Sequence, residues 1–272
     1  MISPDTPLHV YEIEGSIRTH LGVSHPSFVG LWNEDDFSYL FFTELQDDYV
    51  NKCLTGSDCV LRARHDTLYS EWQDAMPAGG VSIGDLLFVR DDHPSPPRGA
   101  LLLDPSVVFG DGSHPTTIAC LTFMLDLIPE TPVRTMLDLG TGTGILSIAA
   151  AALGVQRIVA IDQNALAVQT AMKNVRLNRL SSKVAVKEGD ARMFVGDAYD
   201  LTVANLPFEV LRFIAGLDEL TNIRQWIVSG ISEAQGAILE ELFSSNGFHR
   251  TMFRKDHPWV SFVMAGSVLS KK

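Results

Sequence analysis

The feature that most constrains this chain is the stretch LDLGTGTGILS at 137–147. An apolar run closes on Asp138 and Leu139, and Gly140, Gly142 and Gly144 follow before an alanine-rich helical pattern. We interpret this as a strand, a glycine turn and the start of a helix. Glycine adopts the positive φ of such a turn and lets a ligand approach the backbone closely. The stretch therefore predicts a site for a nucleoside-bearing cofactor.

The spacing of the glycines indicates which cofactor. A dinucleotide fingerprint needs G-x-G-x-x-G, and that register fails at Ile145. The pattern present, D-x-G-x-G-x-G, resembles motif I of class I S-adenosylmethionine-dependent methyltransferases. That resemblance implies that Asp138 and the three glycines bind the cofactor. A glycine-rich βα turn without a cofactor, and a dehydrogenase variant, remain as alternatives.

Two further carboxylates follow strand-like runs. Asp162 closes the run RIVAID about 20 residues beyond the turn, where a strand-end carboxylate accepts both ribose hydroxyls. Its alternative role is a helix N-cap. Asp190 lies in a G-D-A corner that resembles the loop contacting the adenine amino group in the same superfamily, and its alternative role is a turn residue.

The run DLTVA leads directly into Asn205, Leu206, Pro207, Phe208 and Glu209. An Asn side-chain carbonyl and a neighbouring backbone carbonyl can accept hydrogen bonds from an attacking amine and direct its lone pair. We therefore predict a catalytic segment of Asn205, Pro207 and Phe208, with Phe208 packing over the acceptor. The alternative is a helix started by proline with an ordinary cap at Asn205.

The loop FGDGSHPTT at 109–117 carries more glycine and polar residues than a connector requires, which favours a binding loop that includes Phe109, His114 and Thr117. Its PTT triplet predicts a helix start with a threonine cap ahead of Ile118. His114 and Glu209 are candidates for steering or proton removal, and structural roles are the alternative for both.

The order of elements predicts the fold class, α/β. Alternating βα units followed by two late strands predict a Rossmann-like, doubly wound seven-stranded sheet with a reversed edge strand over 101–272. Residues 1–90 predict a small α/β domain with an antiparallel sheet and helices near 44–53 and 68–76. The proline-rich stretch 91–100 predicts a linker.

Composition narrows the class of protein. A net charge of −12 argues against a large nucleic-acid footprint and accommodates a basic protein partner more easily. Three cysteines without a C-x-x-C pair fit a reducing cytoplasm, and no metal site is suggested. The N-terminus lacks the features of a signal peptide, and the apolar stretch 145–155 is too short to span a bilayer. We expect a soluble cytoplasmic protein without a membrane partner.

Five segments taken together, FGDGSHPTT, LDLGTGTGILS, IDQNALAV, VANL and WIVSGI, resemble the PrmA family of ribosomal protein L-eleven methyltransferases in the same order. The resemblance covers about residues 100–265 and implies a small N-terminal recognition domain, a linker and a class I methyltransferase domain that methylates amino groups of a ribosomal protein. It makes Thr117, Gly140, Asp162 and Asn205 the set that binds S-adenosylmethionine.

Two departures from the family pattern bear on the acceptor. The segment after Asn205 is closer to the N-P-P-[YF] pattern of amino- and amide-nitrogen methyltransferases, with Leu206 in place of the first proline. The first 90 residues match only in layout. We expect a protein N-methyltransferase, and the alternatives are methylation of another protein, a nucleic-acid base or a small molecule, or a catalytically silent cofactor-binding module.

Overall fold

The computed structural model describes residues 5–15, 17, 25–34, 36–72, 76–77 and 79–266. The chain forms two compact units. The first comprises Met1–Ala75 with the short segments Ser106–Phe109 and Asn164–Leu166, and the second comprises Met76–Pro105, Gly110–Gln163 and Ala167–Lys272. The predicted domain boundary at residue 90 stays a prediction, and the segment from Met76 to that point groups with the second unit.

The first unit is an antiparallel sheet covered by a helix. Its strands have the order β2-β3-β1-β4, and the apolar side chains of Tyr11, Ile13, Leu40 and Phe42 pack with Val50 of α1. The elements are β1 (Pro7–Glu14), β2 (Phe28–Glu34), β3 (Phe37–Phe42), α1 (Asp47–Leu54), β4 (Val60–Leu68) and α2 (Tyr69–Trp72). A helix was predicted near 68–76, and the structure has one at 69–72. Residues 73–75 of the predicted range lie outside the described residues.

The second unit begins with a three-stranded sheet of order β5-β6-β7. The predicted linker 91–100 connects two of its strands, β6 and β7, which run parallel. The remaining elements form the large sheet and its covering helices. The elements are β5 (Val81–Ile83), β6 (Leu86–Arg90), β7 (Leu101–Leu103), α3 (Pro115–Glu130), β8 (Thr135–Leu139), α4 (Ile145–Ala152), β9 (Arg157–Asp162), α5 (Ala165–Leu177), β10 (Val184–Glu188), β11 (Tyr199–Asn205), α6 (Phe208–Ala215), β12 (Ile223–Ser232), α7 (Glu233–Ser245), β13 (Phe248–Asp256) and β14 (Trp259–Gly266).

The large sheet has seven strands in the order β10-β9-β8-β11-β12-β14-β13. This confirms the predicted doubly wound sheet with one reversed strand. The reversed strand is β14, and it lies one position inside the edge, between β12 and β13. The reason is polarity: β14 (WVSFVMAG) is buried along most of its length, whereas β13 (FHRTMFRKD) is charged and alternately exposed, as suits an edge.

The parallel strands are buried on both faces because helices cover each side. Met136 of β8 packs into one apolar cluster with α3 and α4, and Leu137 and Leu139 pack into the other with α6 and α7. Five strands run parallel to one another, namely β8, β9, β10, β11 and β12. Their carboxyl ends therefore lie at one edge of the sheet, where ligands bind in open α/β folds.

Candidate active site

The glycine turn after β8 requires its glycines. Gly140, Gly142 and Gly144 have φ of 72°, 55° and 85°. A Cβ on Gly140 would lie 2.3 Å from Cδ2 of Leu206, so the turn and the segment after β11 touch at this point. The amides of Gly140 and Thr141 both donate to the carbonyl of Ile161, each at 2.9 Å. The turn is thereby fixed against the end of β9.

Asp162 lies where β9 ends, and its Oδ2 accepts a hydrogen bond of 2.9 Å from the amide of Gly142. The carboxylate is thus held beside the glycine turn, which is the placement that ribose binding needs. The side chain that caps the following helix belongs to Asn164, whose Oδ1 accepts from the amide of Leu166 at 2.9 Å. The N-cap alternative for Asp162 is therefore wrong.

Asp138 is fully buried beneath the same turn. Its Oδ2 accepts hydrogen bonds from the hydroxyls of Thr141 at 2.7 Å and Ser147 at 2.6 Å. Its Oδ1 is buried without a hydrogen-bond partner. Burial, with the nearby charge of Asp162 adding to it, raises the pKa of the Asp138 carboxyl to about 6. The carboxyl holds the turn and the first turn of α4 together.

Asp190 follows β10 and caps the short 3₁₀ turn Ala191–Met193. Its two carboxylate oxygens each lie 2.9 Å from Nε of Arg192, and the Arg192 side chain lowers the pKa of the Asp190 carboxyl. Asp190 therefore has the turn role given as its alternative, and its contact with adenine stays a prediction.

His114 is the N-cap of α3, and Pro115 is the first residue of the helix. The predicted threonine cap is wrong, because Thr116 and Thr117 lie inside the first turn and are buried. The hydroxyl of Thr117 is buried without a hydrogen-bond partner. The role found for His114 is structural, the alternative given for it.

The loop before α3 packs on the glycine turn. The carbonyl of Gly110 accepts a hydrogen bond of 2.5 Å from the hydroxyl of Thr143. Phe109 has an exposed side chain and belongs to the segment Ser106–Phe109 that groups with the first unit. The loop residues from Gly110 onward are thus brought to the turn, as the binding-loop interpretation requires.

Asn205 is the last residue of β11, and its Nδ2 donates to the hydroxyl oxygen of Thr116 at 3.1 Å. Gly230 lies beside it with φ of 88°. The position that a Cβ would take on Gly230 is 2.9 Å from Oδ1 of Asn205 and 2.8 Å from the carbonyl oxygen of Leu206. These distances leave no room for a side chain at 230, and they place the two oxygens close to the same point.

The residues after Leu206 begin the next helix. Pro207 is the N-cap position of α6, so the predicted alternative of a cap at Asn205 is wrong, and Phe208 starts the helix. Phe208 is half-buried against the second apolar cluster. Glu209 is exposed and pairs with Arg212 at 3.6 Å. Roles for Pro207 and Phe208 in catalysis stay predictions, and Glu209 has a surface position.

Two residues of the candidate site, Thr116 and Asn174, were not predicted as site residues from the sequence. Thr116 bonds to Asn205, and Asn174 of α5 donates from Nδ2 to the carbonyl of Thr143 in the glycine turn at 2.8 Å. A signal for the second was present, because Asn174 lies between Ala171 and Val175 in a helical pattern of mostly apolar inward positions.

Across the described ranges, no three His, Cys, Asp or Glu side chains cluster as metal ligands would. The three cysteines are free thiols. In the same part of the chain, none of the helices is both long and apolar enough to cross a membrane.

The chain has relatives among known proteins. The family model described as ribosomal protein L11 methyltransferase (PrmA) matches residues 65–266. Proteins named ribosomal protein L11 methyltransferase are similar to it: that of Exiguobacterium sibiricum is 34% identical over 172 residues, 62% of this chain and 54% of that protein. That of Bacillus pumilus is 35% identical over 163 residues, 59% and 52% of the two chains. The chain therefore spans about half the length of the curated relatives it matches.

A solved structure matches the fold. The crystal structure of the ribosomal protein L11 methylase from Lactobacillus delbrueckii subsp. bulgaricus superposes with a TM-score of 0.60 and 27% identity, over 67% of this chain and 95% of that one. The shared fold and the family match over most of the sequence agree. The chain belongs to the ribosomal protein L11 methyltransferase (PrmA) family.

Proposed function

We propose that the chain is an S-adenosylmethionine-dependent N-methyltransferase that acts on amino groups of a ribosomal protein in the cytoplasm. The observation that carries the proposal is the pair of oxygens at the end of β11. Oδ1 of Asn205 and the carbonyl oxygen of Leu206 lie 2.9 Å and 2.8 Å from one point, the position that a Cβ would take on Gly230, and the Leu206 side chain touches the glycine turn. This closeness supports the proposal that the acceptor and cofactor sites are adjacent.

The residues at the edge of the sheet fit the cofactor. Asp162 stands beside the turn amide of Gly142, where it would accept the ribose hydroxyls. Buried polar atoms without hydrogen-bond partners are found in β8, in the loop before α3 and in the first turn of α3, namely Oδ1 of Asp138, Oδ2 of Asp111 and Oγ1 of Thr117. Such atoms are unfavourable unless a ligand or water meets them. We propose that they meet the polar amino-acid end of S-adenosylmethionine, with His114 and the three turn glycines forming the surrounding wall and Asp190 near the adenine.

The proposed chemistry is an in-line displacement. When bound, the cofactor supplies a methyl group made electrophilic by its sulfonium. The chain's own contribution is positioning: Asn205 Oδ1 and the Leu206 carbonyl accept the N–H bonds of a neutral amine, so that its lone pair faces the methyl carbon. Pro207 fixes the backbone that follows, and Phe208 would pack over the acceptor. No strong general base is required once the amine is neutral.

The choice of substrate follows the names of the relatives. Ribosomal protein L11 is the substrate named for the curated proteins that resemble this chain, and a chain of net charge −12 accommodates a basic partner. We propose that the N-terminal domain, predicted as residues 1–90, presents that protein to the residues after Asn205 in the catalytic domain.

Cofactor binding is the first test. We expect calorimetry to detect S-adenosylmethionine binding, and Asp162→Ala to weaken it at least about tenfold, because two charge-assisted hydrogen bonds to the ribose are lost. Asp197→Ala removes an exposed carboxylate elsewhere in the same unit and should leave the affinity unchanged. Failure of the intact protein to bind would remove the proposal.

Methyl transfer is the second readout. The protein is incubated with labelled S-adenosylmethionine and a lysate from cells that lack it, and the labelled band is identified by mass spectrometry. A labelled ribosomal protein with modified amino groups supports the proposal. Labelled nucleic acid or small molecules would assign a different acceptor, and binding without transfer would indicate a silent cofactor-binding module.

A further inference from the structure

We infer that the hydroxyl of Thr116, held by His114, fixes which way the side-chain amide of Asn205 faces and so presents its carbonyl oxygen to the acceptor amine. This makes Thr116 a positioning residue, and the inference rests on the proposed function. Three hydrogen bonds at the N-terminus of α3 and the end of β11 support it.

The Nδ1 atom of the His114 ring accepts hydrogen bonds from Thr116. Nδ1 of His114 lies 3.3 Å from the backbone amide of Thr116 and 2.7 Å from its hydroxyl oxygen. A backbone N–H can only donate, so Nδ1 carries a lone pair on this side. The hydroxyl proton of Thr116 therefore also points to Nδ1. The ring of Trp259 packs against the imidazole edge-on, at 5.6 Å between centroids.

The Thr116 hydroxyl determines the orientation of the side-chain amide of Asn205. A threonine hydroxyl has one proton, and His114 takes it, so the Thr116 oxygen is left to accept. Its neighbour at 3.1 Å must then be the NH₂ group of Asn205, as the hydrogen bond from Nδ2 shows. A reversed amide would place two oxygen lone pairs against each other with no proton between them. Thr116 is buried, so water does not replace its hydroxyl.

This orientation determines which atom of Asn205 faces the proposed acceptor site. With Nδ2 bound to Thr116, Oδ1 of Asn205 faces the side of Gly230 and lies near the same point as the carbonyl oxygen of Leu206. An amine offers N–H groups, and only an oxygen at this position accepts them. A reversed amide would present N–H against N–H. The orientation set by Thr116 therefore determines whether the site receives an amine.

The test compares Thr116→Val, which keeps the shape of the side chain and removes the hydroxyl, with Thr116→Ser, which keeps the hydroxyl. We expect Thr116→Val to lower kcat about tenfold or more, because the amide loses its fixed direction. KM, the affinity for S-adenosylmethionine by calorimetry, and the thermal midpoint should change little. Thr116→Ser should restore most of kcat, and Asn205→Ala gives the level of complete loss.

The second measurement is the solvent exchange of the Asn205 side-chain amide protons, followed by NMR without cofactor or substrate. The side-chain amide of Asn205 is assigned by NMR from the signals that disappear in Asn205→Asp. In the wild-type protein these protons should exchange slowly with solvent, and in Thr116→Val they should exchange faster. Thr116→Ala serves if the valine variant does not fold.

The outcomes separate the inference from the function on which it rests. Unchanged kcat in Thr116→Val, or equal exchange of the Asn205 amide protons in the two proteins, would overturn the inference. A wild-type protein that transfers no methyl group to any acceptor would instead overturn the proposed function, and the NMR comparison would still decide the role of Thr116 in orienting the amide.

Discussion

A single carboxyl group beneath the glycine turn connects three segments of the chain. Oδ2 of Asp138 accepts hydrogen bonds from hydroxyls of the turn and of α4, contributed by Thr141 and Ser147. These bonds favour the ionised form, whereas complete burial opposes it, and burial is the larger effect. The group is therefore a source of pH dependence in the stability of the second unit.

We expect the free energy of unfolding contributed by Asp138 to fall as pH rises. The folded-state pKa is about 6 against an ordinary 3.8, so the folded chain binds the proton more tightly than the unfolded chain between these values. The contribution therefore decreases from about pH 4 to pH 6 and is level above that range. Asp138→Asn keeps the size and does not titrate. The wild-type-minus-variant difference, measured by urea unfolding at several pH values, should fall across this window; a difference that is flat or rises with pH contradicts the assignment.

At the scale of elements, two asparagines of one helical face hold β7 in place. Asn174 bonds to both the amide and the carbonyl of Asp104, the residue after β7, and Asn178 bonds to both groups of Leu102 within β7, at 2.7–2.9 Å. The side-chain amides thus act as a neighbouring strand would. Asn174 also reaches the carbonyl of Thr143 in the glycine turn.

We expect Asn174→Ala to lower the free energy of unfolding by about 2–4 kcal/mol, because it leaves one buried and two partly buried backbone groups without these partners. The same variant should weaken S-adenosylmethionine binding, since the Thr143 carbonyl loses its hydrogen-bond partner.

Asn178→Ala is the matched control. It breaks the equivalent pair of bonds at a half-buried position, and Asn178 does not reach the turn, so we expect a smaller loss of stability and unchanged affinity. Equal effects of the two substitutions on cofactor affinity would show that the Thr143 contact has no such role. Urea unfolding and calorimetry measure both quantities.

Elements with a strong local signal were predictable, and those defined by tertiary contacts were not. The glycine turn and the strands ending at Asp162 and Asn205 follow from apolar runs and glycine spacing. In contrast, β5 and β7 are too short to show any alternation, and the insertion of β14 inside the edge depends on which hairpin strand is more apolar. The PTT triplet predicts a threonine cap for α3 because threonine is a preferred N-cap residue, whereas in the structure the His114 side chain accepts the capping hydrogen bond.

At the scale of the whole second unit, the candidate site exists because parallel strands end at one edge. Asp138, Asp162, Asp190 and Asn205 lie at or near the carboxyl ends of four different strands of one sheet. Their convergence could be predicted from strand order alone. The partners of each side chain could not, because the pairs that matter join distant loops: Thr116 meets Asn205, and Leu206 meets Gly140. Such contacts depend on loop conformations that no local pattern encodes.

The position at which the proposed catalytic domain begins can be tested on the second unit. The predicted boundary cuts after residue 90, and that cut removes β5 and β6 from their sheet with β7. Ile83, Leu86 and Phe88 of these strands are buried in the core cluster that also contains Leu103 of β7. Each buried side chain of this size contributes about 1.5–3 kcal/mol. We therefore expect a fragment 91–272 to be less stable than a fragment 76–272.

The comparison isolates the two strands, because both fragments lose residues 1–75 and any effect of that loss is common to them. Urea unfolding of the two purified fragments should give a cooperative transition for 76–272 and a midpoint at lower urea, or no cooperative transition, for 91–272. The longer fragment should also retain the greater affinity for S-adenosylmethionine, because Val81 of β5 lies against the position of a Cβ on Gly112 in the loop beside the glycine turn, at 3.6 Å. Equal midpoints would instead support a domain that begins after the proline-rich stretch, with β5 and β6 belonging to the recognition domain.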